Sequence, residues 1–479
     1  MDLRPFMIGN RWVTGSGASF ASTDPTSGQE IARFAGASAA DVDDAVAAAR
    51  VALEDPAWAA LKPHERARRL ARLADLITRD AEHLARLQMS DNGKTIGECR
   101  AQARSAAGTF RYYAAVSETF ESELTTQRGG SVTMTVYEPV GVVAAITPWN
   151  SPLTLEAQKL APILAAGNTV ILKPSEVTPQ VALEYARLAL EAELPAGVLN
   201  VVTGAGEVGR MLVEHAGVDM VSFTGGTAAG RAIAEACGRR LKPVVLELGG
   251  KSPNIVFADA DLDAAVRGVA AGIFSGAGQS CIAGSRALVE RTVFDAFLER
   301  LTGEAEGYRL GPPDAEGTKI GPMASLAQRD RVHGYVDSAR AEGGRVVIGG
   351  EIPTSGDLAA GAYYPATVIT GVSNRARVCR EEIFGPVVVV LPFEHEADLV
   401  DQANDSDFGL AAGIWTGDYR KAWRVGRALR AGTVWINTYK ELSISTPFGG
   451  FKQSGIGREK GRQGMTVYME PKGLYWHVG

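Results

Sequence analysis

The chain has 479 residues, 46% hydrophobic and 22% charged, enough for two or three packed lobes, and this excludes a disordered chain or a fibre. Its 49 basic and 55 acidic residues leave a net charge of −6, with no broad attraction for phosphate backbones or anionic lipid, so neither nucleic acid nor membrane is expected as a partner. No apolar run approaches the ~18 residues that span a bilayer, and Met1 to Asn10 carries Asp2, Arg4 and Pro5 without the apolar stretch of a secretory signal. Cys99, Cys237, Cys281 and Cys379 are scattered with no Cys-x-x-Cys pair, which argues against a disulfide framework and fits a reducing cytoplasm. The histidines are also scattered, so no local metal signature is present and no metal is expected.

In chain order, the first stretch reads as helical. Leu70, Leu73, Leu76, Ile77, Leu84 and Leu87 form one apolar stripe. Gly130–Tyr137 alternates with period two and predicts an antiparallel strand. Strand and helix then alternate. Strands are expected at Val140–Thr147, Thr169–Leu172, Val198–Val202, Met220–Phe223 and Val244–Leu246, with helices at Leu155–Ala166 and Thr178–Ala192. Such alternation implies an α/β fold with a parallel sheet covered on both faces, and ligands bind at the carboxyl ends of its strands. From Asp261 the alternation resumes around a second core, and Gly311–Met323 and Gly343–Gly361 read as connectors.

Two glycine loops compete as the dinucleotide site. Gly204-Ala-Gly206-Glu-Val-Gly209 matches G-x-G-x-x-G, but no acid follows about 20 residues later, so it reads better as a tight strand-to-helix turn. Phe223-Thr-Gly225-Gly226-Thr-Ala-Ala-Gly230 also joins a strand to a helix, Arg231–Cys237, whose first N–H groups are free for a pyrophosphate. Composition alone does not choose between the two.

Seven motifs occur in order: Pro148-Trp149-Asn150, Lys173-Pro-Ser-Glu176, Phe223-Thr-Gly-Gly-Thr227, Glu247-Leu-Gly-Gly-Lys-Ser-Pro253, Gly278-Gln-Ser-Cys281, Glu382-Ile-Phe-Gly-Pro386 and Pro447-Phe-Gly-Gly-Phe-Lys452. Together they resemble the aldehyde dehydrogenase superfamily over nearly the whole chain. The resemblance implies a Rossmann-type NAD-binding domain at 1–120 and 140–248. It also implies an α/β catalytic domain at 249–450, and a small β oligomerisation arm with the C-terminal tail at 121–139 and 451–479. It further implies a homodimer or homotetramer.

The resemblance also assigns chemistry. An aldehyde has no hydride to give until a nucleophile adds to its carbonyl carbon, and a thiolate does this by forming a hemithioacetal. A lone cysteine is usually an apolar filler. Here the glycines of Gly276-Ala-Gly278-Gln-Ser-Cys281 permit close backbone approach, and the resemblance makes Cys281 the nucleophile. It makes Asn150 the side-chain donor to the developing oxyanion and Glu247 the base for thioester hydrolysis. Lys159 and Glu459 fall at family positions near the catalytic centre. For the cofactor, the resemblance points to Thr147, Trp149, Lys173, Glu176, Gly225, Gly226, Gly230, Gln328, Glu382 and Phe384. The carboxylate of Glu176 favours NAD over NADP, because it accepts from both ribose hydroxyls and repels a 2′-phosphate. Gly226 departs from the Ser of many relatives. The places that line the aldehyde tunnel hold Ser151, Thr154 and Gln158, with Lys440 and Glu441 on a nearby loop, which suggests a polar or semialdehyde-like substrate.

Two rivals remain. A CoA-acylating aldehyde dehydrogenase generally lacks the acid at Glu247. A cysteine hydrolase or acyltransferase without redox chemistry needs a histidine beside Cys281, and no histidine lies in the seven motifs.

Overall fold

The apolar runs of the middle of the chain become strands buried on both faces. In the computed structural model, which describes residues 2–125 and 130–478, Val142–Ile146, Thr169–Lys173, Leu199–Val201, Met220–Thr224 and Val244–Glu247 run parallel. Across the sheet they lie in the order Val244, Met220, Val142, Thr169, Leu199 by first residue. The chain therefore leaves Val142–Ile146 in one direction and later returns to its other side at Met220–Thr224. The crevice at the carboxyl ends of those two neighbours is the switch point where open α/β sheets bind ligands.

Antiparallel strands close both edges of this sheet. Phe6–Ile8 and Arg11–Val13 extend it beside Leu199–Val201, and Gly455–Ile456 pairs with Val244–Glu247. The first stretch is thus not purely helical. It also supplies Leu3–Arg4, Gly17–Thr23 and Glu30–Gly36 to a separate three-stranded sheet. Gly17–Thr23 (GASFAST) is poor in β-branched residues and has one buried residue, Ser22, so tertiary pairing and not propensity makes it a strand. The expected apolar stripe is divided between two helices, Pro63–Arg79 and Ala81–Asn92, with Leu70, Leu73, Leu76, Ile77 and Leu84 buried.

The second core forms around a seven-stranded sheet, in the order Arg345–Ile348, Thr367–Thr370, Val387–Phe393, Arg286–Glu290, Pro253–Val256, Ala411–Trp415, Thr433–Ile436. All are parallel except the edge strand Arg345–Ile348, which falls inside a stretch expected to be connector. Pro253–Val256 and Arg286–Glu290 are neighbours, and the segment joining them carries Cys281.

A third sheet stands apart. Met469–His477 pairs along its full length with Ser131–Pro139, which also pairs with Glu123–Thr125. The expected start of this tail at 451 does not follow the hydrogen bonds, because Phe451–Lys452 pairs with Phe408–Gly409 and Gly455–Ile456 joins the first sheet. Only from Met469 does the chain enter the arm. Expected arm positions 126–129 and 479 lie outside the described residues.

Arg286 pins the second sheet from inside. Fully buried at the start of its strand, it donates from Nε to the Lys251 carbonyl, from Nη1 to Asn374 Oδ1 and the Gln402 carbonyl, and from Nη2 to the Ala403 carbonyl. Arg286→Met leaves these buried acceptors unpaired and is expected to cost about 2–4 kcal/mol, read as a lower urea midpoint with an unchanged slope. A midpoint within error of wild type would show that the guanidinium bonds are dispensable.

Candidate active site

At the switch point, the strand Val142–Ile146 runs out into Thr147-Pro-Trp149-Asn150 before Pro152 starts the next helix. The buried Asn150 donates from Nδ2 to the Gln279 carbonyl at 3.0 Å, just ahead of Cys281. From the other side, Asn92 Nδ2 holds the Trp149 and Asn150 carbonyls, each at 3.3 Å. On the neighbouring strand, Thr224 leads into Gly225, and Gly226 caps the helix Thr227–Gly238 with no side-chain cap bond. The hydroxyls of Thr224 and Thr227 are buried there without a hydrogen-bond partner. A Cβ on Gly226 would meet nothing within 4 Å. This helix start offers free N–H groups, orphaned hydroxyls and open space.

It opens on a cleft of about 810 Å³. Thr147, Trp149, Lys173, Glu176, Gly225 and Gly226 line one side, and Gln328, Glu382 and Phe384 the other, with Asn150, Glu247 and Cys281 also in its walls. Lys173 is buried and lies 3.5 Å from the half-exposed Glu176. The ring of Trp149 meets Phe384 edge-on at 5.2 Å. Phe384 sits at φ 59°, a region costly for a bulky residue, and Gln328 Nε2 steadies that turn through the Phe384 carbonyl at 3.0 Å. Gln328 thus braces the Glu382–Phe384 turn while it lines the cleft. Gly230 does not line the cleft. A Cβ there would stand 2.4 Å from Leu248, so its role is helix-to-strand packing.

The first glycine loop is the strand-to-helix turn expected of it, and it also borders the cleft. It starts the helix Gly206–Glu214, whose Gly206, Gly209 and Arg210 line the same cleft. The two glycine-led helices face one ligand space. Arg210 escaped the sequence reading because the missing ribose acid argued against that loop.

Cys281 is placed by backbone contacts that glycines alone permit. A Cβ on Gly250 would lie 2.3 Å from the Cys281 carbonyl, one on Gly278 2.0 Å from the Gly385 carbonyl, and one on Gly249 2.5 Å from Glu382 Oε2. Gly276, Ala277 and Gly278 all have positive φ, which turns the chain sharply before the cysteine. Burial, then the charges of Glu382 and Glu247, push the Cys281 thiol up to about 12, while the N–H groups of Cys281 and Ile282 oppose the shift. Burial raises Glu382 to about 7, opposed by the Gly250 N–H and by Lys251 and Arg331.

Glu247 ends its strand inside the core, and neither carboxyl oxygen has a hydrogen-bond partner. Burial, then the nearby Glu459, raises its pKa well above the usual range, against the pull of Lys159, Arg458 and Lys460. Glu459 is itself bound to fully buried Lys159 at 2.6 Å and to Gln158 Nε2 at 3.3 Å. Lys159 also donates to Ser222 Oγ at 2.9 Å. The two carboxyls of the site thus sit in different settings, Glu459 in an ion pair and Glu247 without a hydrogen-bond partner.

The residues expected around the aldehyde divide. Ser151 Oγ accepts from Gln102 Nε2 at 3.2 Å, and Thr154 Oγ1 donates to the Ser151 carbonyl at 3.2 Å. Gln158 is tied up with Glu459. Lys440 reaches inward, its Nζ 3.5 Å from the Ser275 carbonyl, whereas the Glu441 side chain is exposed to solvent.

A wound sheet with a nucleotide-sized cleft, a second sheet delivering a cysteine to its inner end, and buried carboxyls beside the sulfur define an oxidoreductase with covalent chemistry. Residues 12–474 match the aldehyde dehydrogenase family, and the chain belongs to that family, whose members oxidise aldehydes to acids. It is 42% identical to an aldehyde dehydrogenase of Aspergillus niger over 98% of this chain and 95% of that one. Its fold is similar to the aldehyde dehydrogenase KauB of Pseudomonas aeruginosa, with a TM-score of 0.97, 40% identity and coverage of 100% of this chain and 97% of that one. It is equally similar to a betaine aldehyde dehydrogenase of Staphylococcus aureus solved with NAD+, with a TM-score of 0.97, 37% identity and coverage of 99% and 94%.

A raised thiol pKa means the protonated form dominates below it, so the reactive thiolate fraction still grows tenfold per pH unit across the neutral range. Iodoacetamide labelling of Cys281, followed by peptide mass spectrometry, is expected to be slower than labelling of free cysteine at about pH 8 and still climbing at about pH 10. Glu382→Gln removes a negative charge and is expected to speed labelling at about pH 8. A rate that levels off near neutral pH would contradict this picture of the sulfur.

Proposed function

We propose that the protein oxidises a polar aldehyde to its carboxylic acid with NAD, through a thioester on Cys281 that water hydrolyses with Glu247 as base. The observation that carries this reading is Glu247, buried, unpartnered and in the same cleft wall as Cys281. The thiol adds to the aldehyde carbon, and its proton passes to a neighbouring carboxylate or water. The Asn150 amide and the Cys281 N–H stabilise the resulting oxyanion. A bound nicotinamide dinucleotide supplies the hydride acceptor. The helix start at Gly225–Gly226, with the Thr224 and Thr227 hydroxyls, suits its pyrophosphate. Lys173 and Glu176 suit the adenosine ribose, and Glu382 with Phe384 the nicotinamide end. Glu247 then takes a proton from water as it attacks the thioester, and Lys159 holds Glu459 in place behind it through their ion pair.

A water-using base at Glu247 favours this reading over the CoA-acylating one. The free edge of Met469–His477, with Tyr475 and Trp476 exposed at 81% and 67%, supports assembly into a homodimer or homotetramer. No described helix is long and apolar enough to cross a membrane, and the four cysteines are unpaired, which supports a cytoplasmic setting.

The experiment is a rapid-mixing record of NADH absorbance. Cys281→Ala is expected to abolish NADH formation while still binding NAD. Glu247→Gln is expected to retain a burst near one equivalent per site and to lose steady turnover, because the thioester forms but lacks its base. Equal loss of burst and turnover in Glu247→Gln would move Glu247 to thiol activation. Steady turnover by Cys281→Ala would sink the covalent route.

Cofactor choice is expected to rest on Glu176. Its carboxylate repels a 2′-phosphate, whereas the nearby Lys173 and the open space at Gly226 soften the penalty, so kcat/KM should favour NAD over NADP by about ten- to thousandfold. Glu176→Gln should narrow the gap mainly through tighter NADP binding. A wild type that prefers NADP would overturn this assignment.

A further inference from the structure

Three ammonium groups around the segment that carries Cys281 form no salt bridge among the described residues. Lys94 follows the left-handed cap Gly93 and is only 8% exposed. Its Nζ stands 2.8 Å from the place a Cβ on Gly276 would take. Lys440, on the loop after Thr433–Ile436 and at φ 63°, brings its Nζ to 3.5 Å from the Ser275 carbonyl. Lys94 and Lys440 therefore converge from different elements on the turn Ser275–Gly276 that leads into Cys281. Lys460, also 8% exposed, holds its Nζ 5.4 Å from the ring centre of Phe448, whose apolar cluster packs against Cys281.

The lysines that pair with acids among the described residues are Lys159, Lys173, Lys421 and Lys472, and these three are not among them. The nearby acids are already engaged. Glu98 accepts from the Gly276 N–H at 2.7 Å and from Thr95 N and Oγ1. Glu459 is bound to Lys159. Glu441, next to Lys440, is exposed. Burial, then the charge of Lys94, lowers Lys440 to about 8 against the pull of Glu98, and burial lowers Lys460 against the pull of Glu459. Partly desolvated cations without a salt-bridge partner are costly in the resting protein and are relieved by an anion.

Resting on the reading of Cys281 as the nucleophile, we infer that the substrate is an aldehyde bearing a second, anionic group, a carboxylate held by Lys440 and Lys94 while Lys460 reinforces the positive field on the Phe448 side. A carboxylate there satisfies two donors at once, and its neutral ester leaves them unpaired. An aldehyde bearing a quaternary ammonium meets like charge and is disfavoured. The site therefore belongs with reactions that consume formyl carboxylates and yield dicarboxylates.

The test compares kcat/KM, from NADH absorbance, for succinic semialdehyde, its methyl ester and betaine aldehyde. The wild type is expected to favour the acid over the ester by at least about tenfold and to use the cationic aldehyde least. Lys440→Met and Lys94→Met should each bring the acid-to-ester ratio toward one, chiefly by raising KM for the acid, and Lys440→Arg should restore the preference. Circular dichroism and iodoacetamide labelling of Cys281 check that each variant is folded with its thiol in place. A wild type that uses the ester or the cationic aldehyde as well as the acid would overturn the inference while leaving the dehydrogenase intact, as would an unchanged ratio in Lys440→Met. Absence of NADH with all three probes and with benzaldehyde would overturn the dehydrogenase reading and this inference together.

Discussion

Everything in this site depends on backbone approaching backbone at a distance that no Cβ allows. Gly250 lies against the Cys281 carbonyl, Gly278 against the Gly385 carbonyl, and Gly432 against the Gly449 carbonyl, where added Cβ atoms would fall at 2.3, 2.0 and 1.7 Å. These contacts draw the turn before Cys281, the turn after Glu247 and the Glu382–Phe384 turn into one point between two independent sheets. Each sheet has its own apolar core, and neither core alone would fix the sulfur relative to the carboxyls. The glycines let the two cores share a seam, and geometry there is held by packed main chain, with little side-chain freedom to absorb error.

Once that seam is closed, its low polarity sets the chemistry. A thiol and a carboxyl are both pushed toward their neutral forms by burial. The same burial leaves Glu247 without partners, which is expensive for stability and useful for a base. Lys159 resolves the conflict that two adjacent acids would create, by taking Glu459 into an ion pair shielded from water. The positive groups on the far side of Cys281 are the counterpart. They form no salt bridge among the described residues, and so remain available to a charged ligand.

The seven short motifs fix which residues meet, because each one couples a glycine-dependent turn to a chemically specific side chain. The buried parallel strands were equally legible, since runs such as VVAAI at Val142–Ile146 permit little else. Less was legible where structure depends on a distant partner. The weakly patterned strand Gly17–Thr23 exists through its pairing with Glu30–Gly36. Gly455–Ile456 leaves the tail to complete the first sheet beside Val244–Glu247. Gly230 has the spacing of a phosphate-binding glycine, but the fold uses it to seat a helix on Leu248.

By itself the sequence determined the two wound sheets, while the cysteine, its carboxyl and amide companions and the glycine turn at Gly225–Gly226 were implied by the family resemblance of its motifs. Periodicity and local turn chemistry are properties of neighbouring residues, and they survive in a linear reading. Only the tertiary structure decided that both glycine-led helices border one cleft, that Gln328 braces Phe384, and that adjacent Lys440 and Glu441 part company, one inward and one to solvent. It alone brought Lys94 and Lys440 to the turn that leads into Cys281, and Lys460 over the ring of Phe448. Charge acts through space, and where an ammonium group ends up depends on which distant segments fold against the same turn.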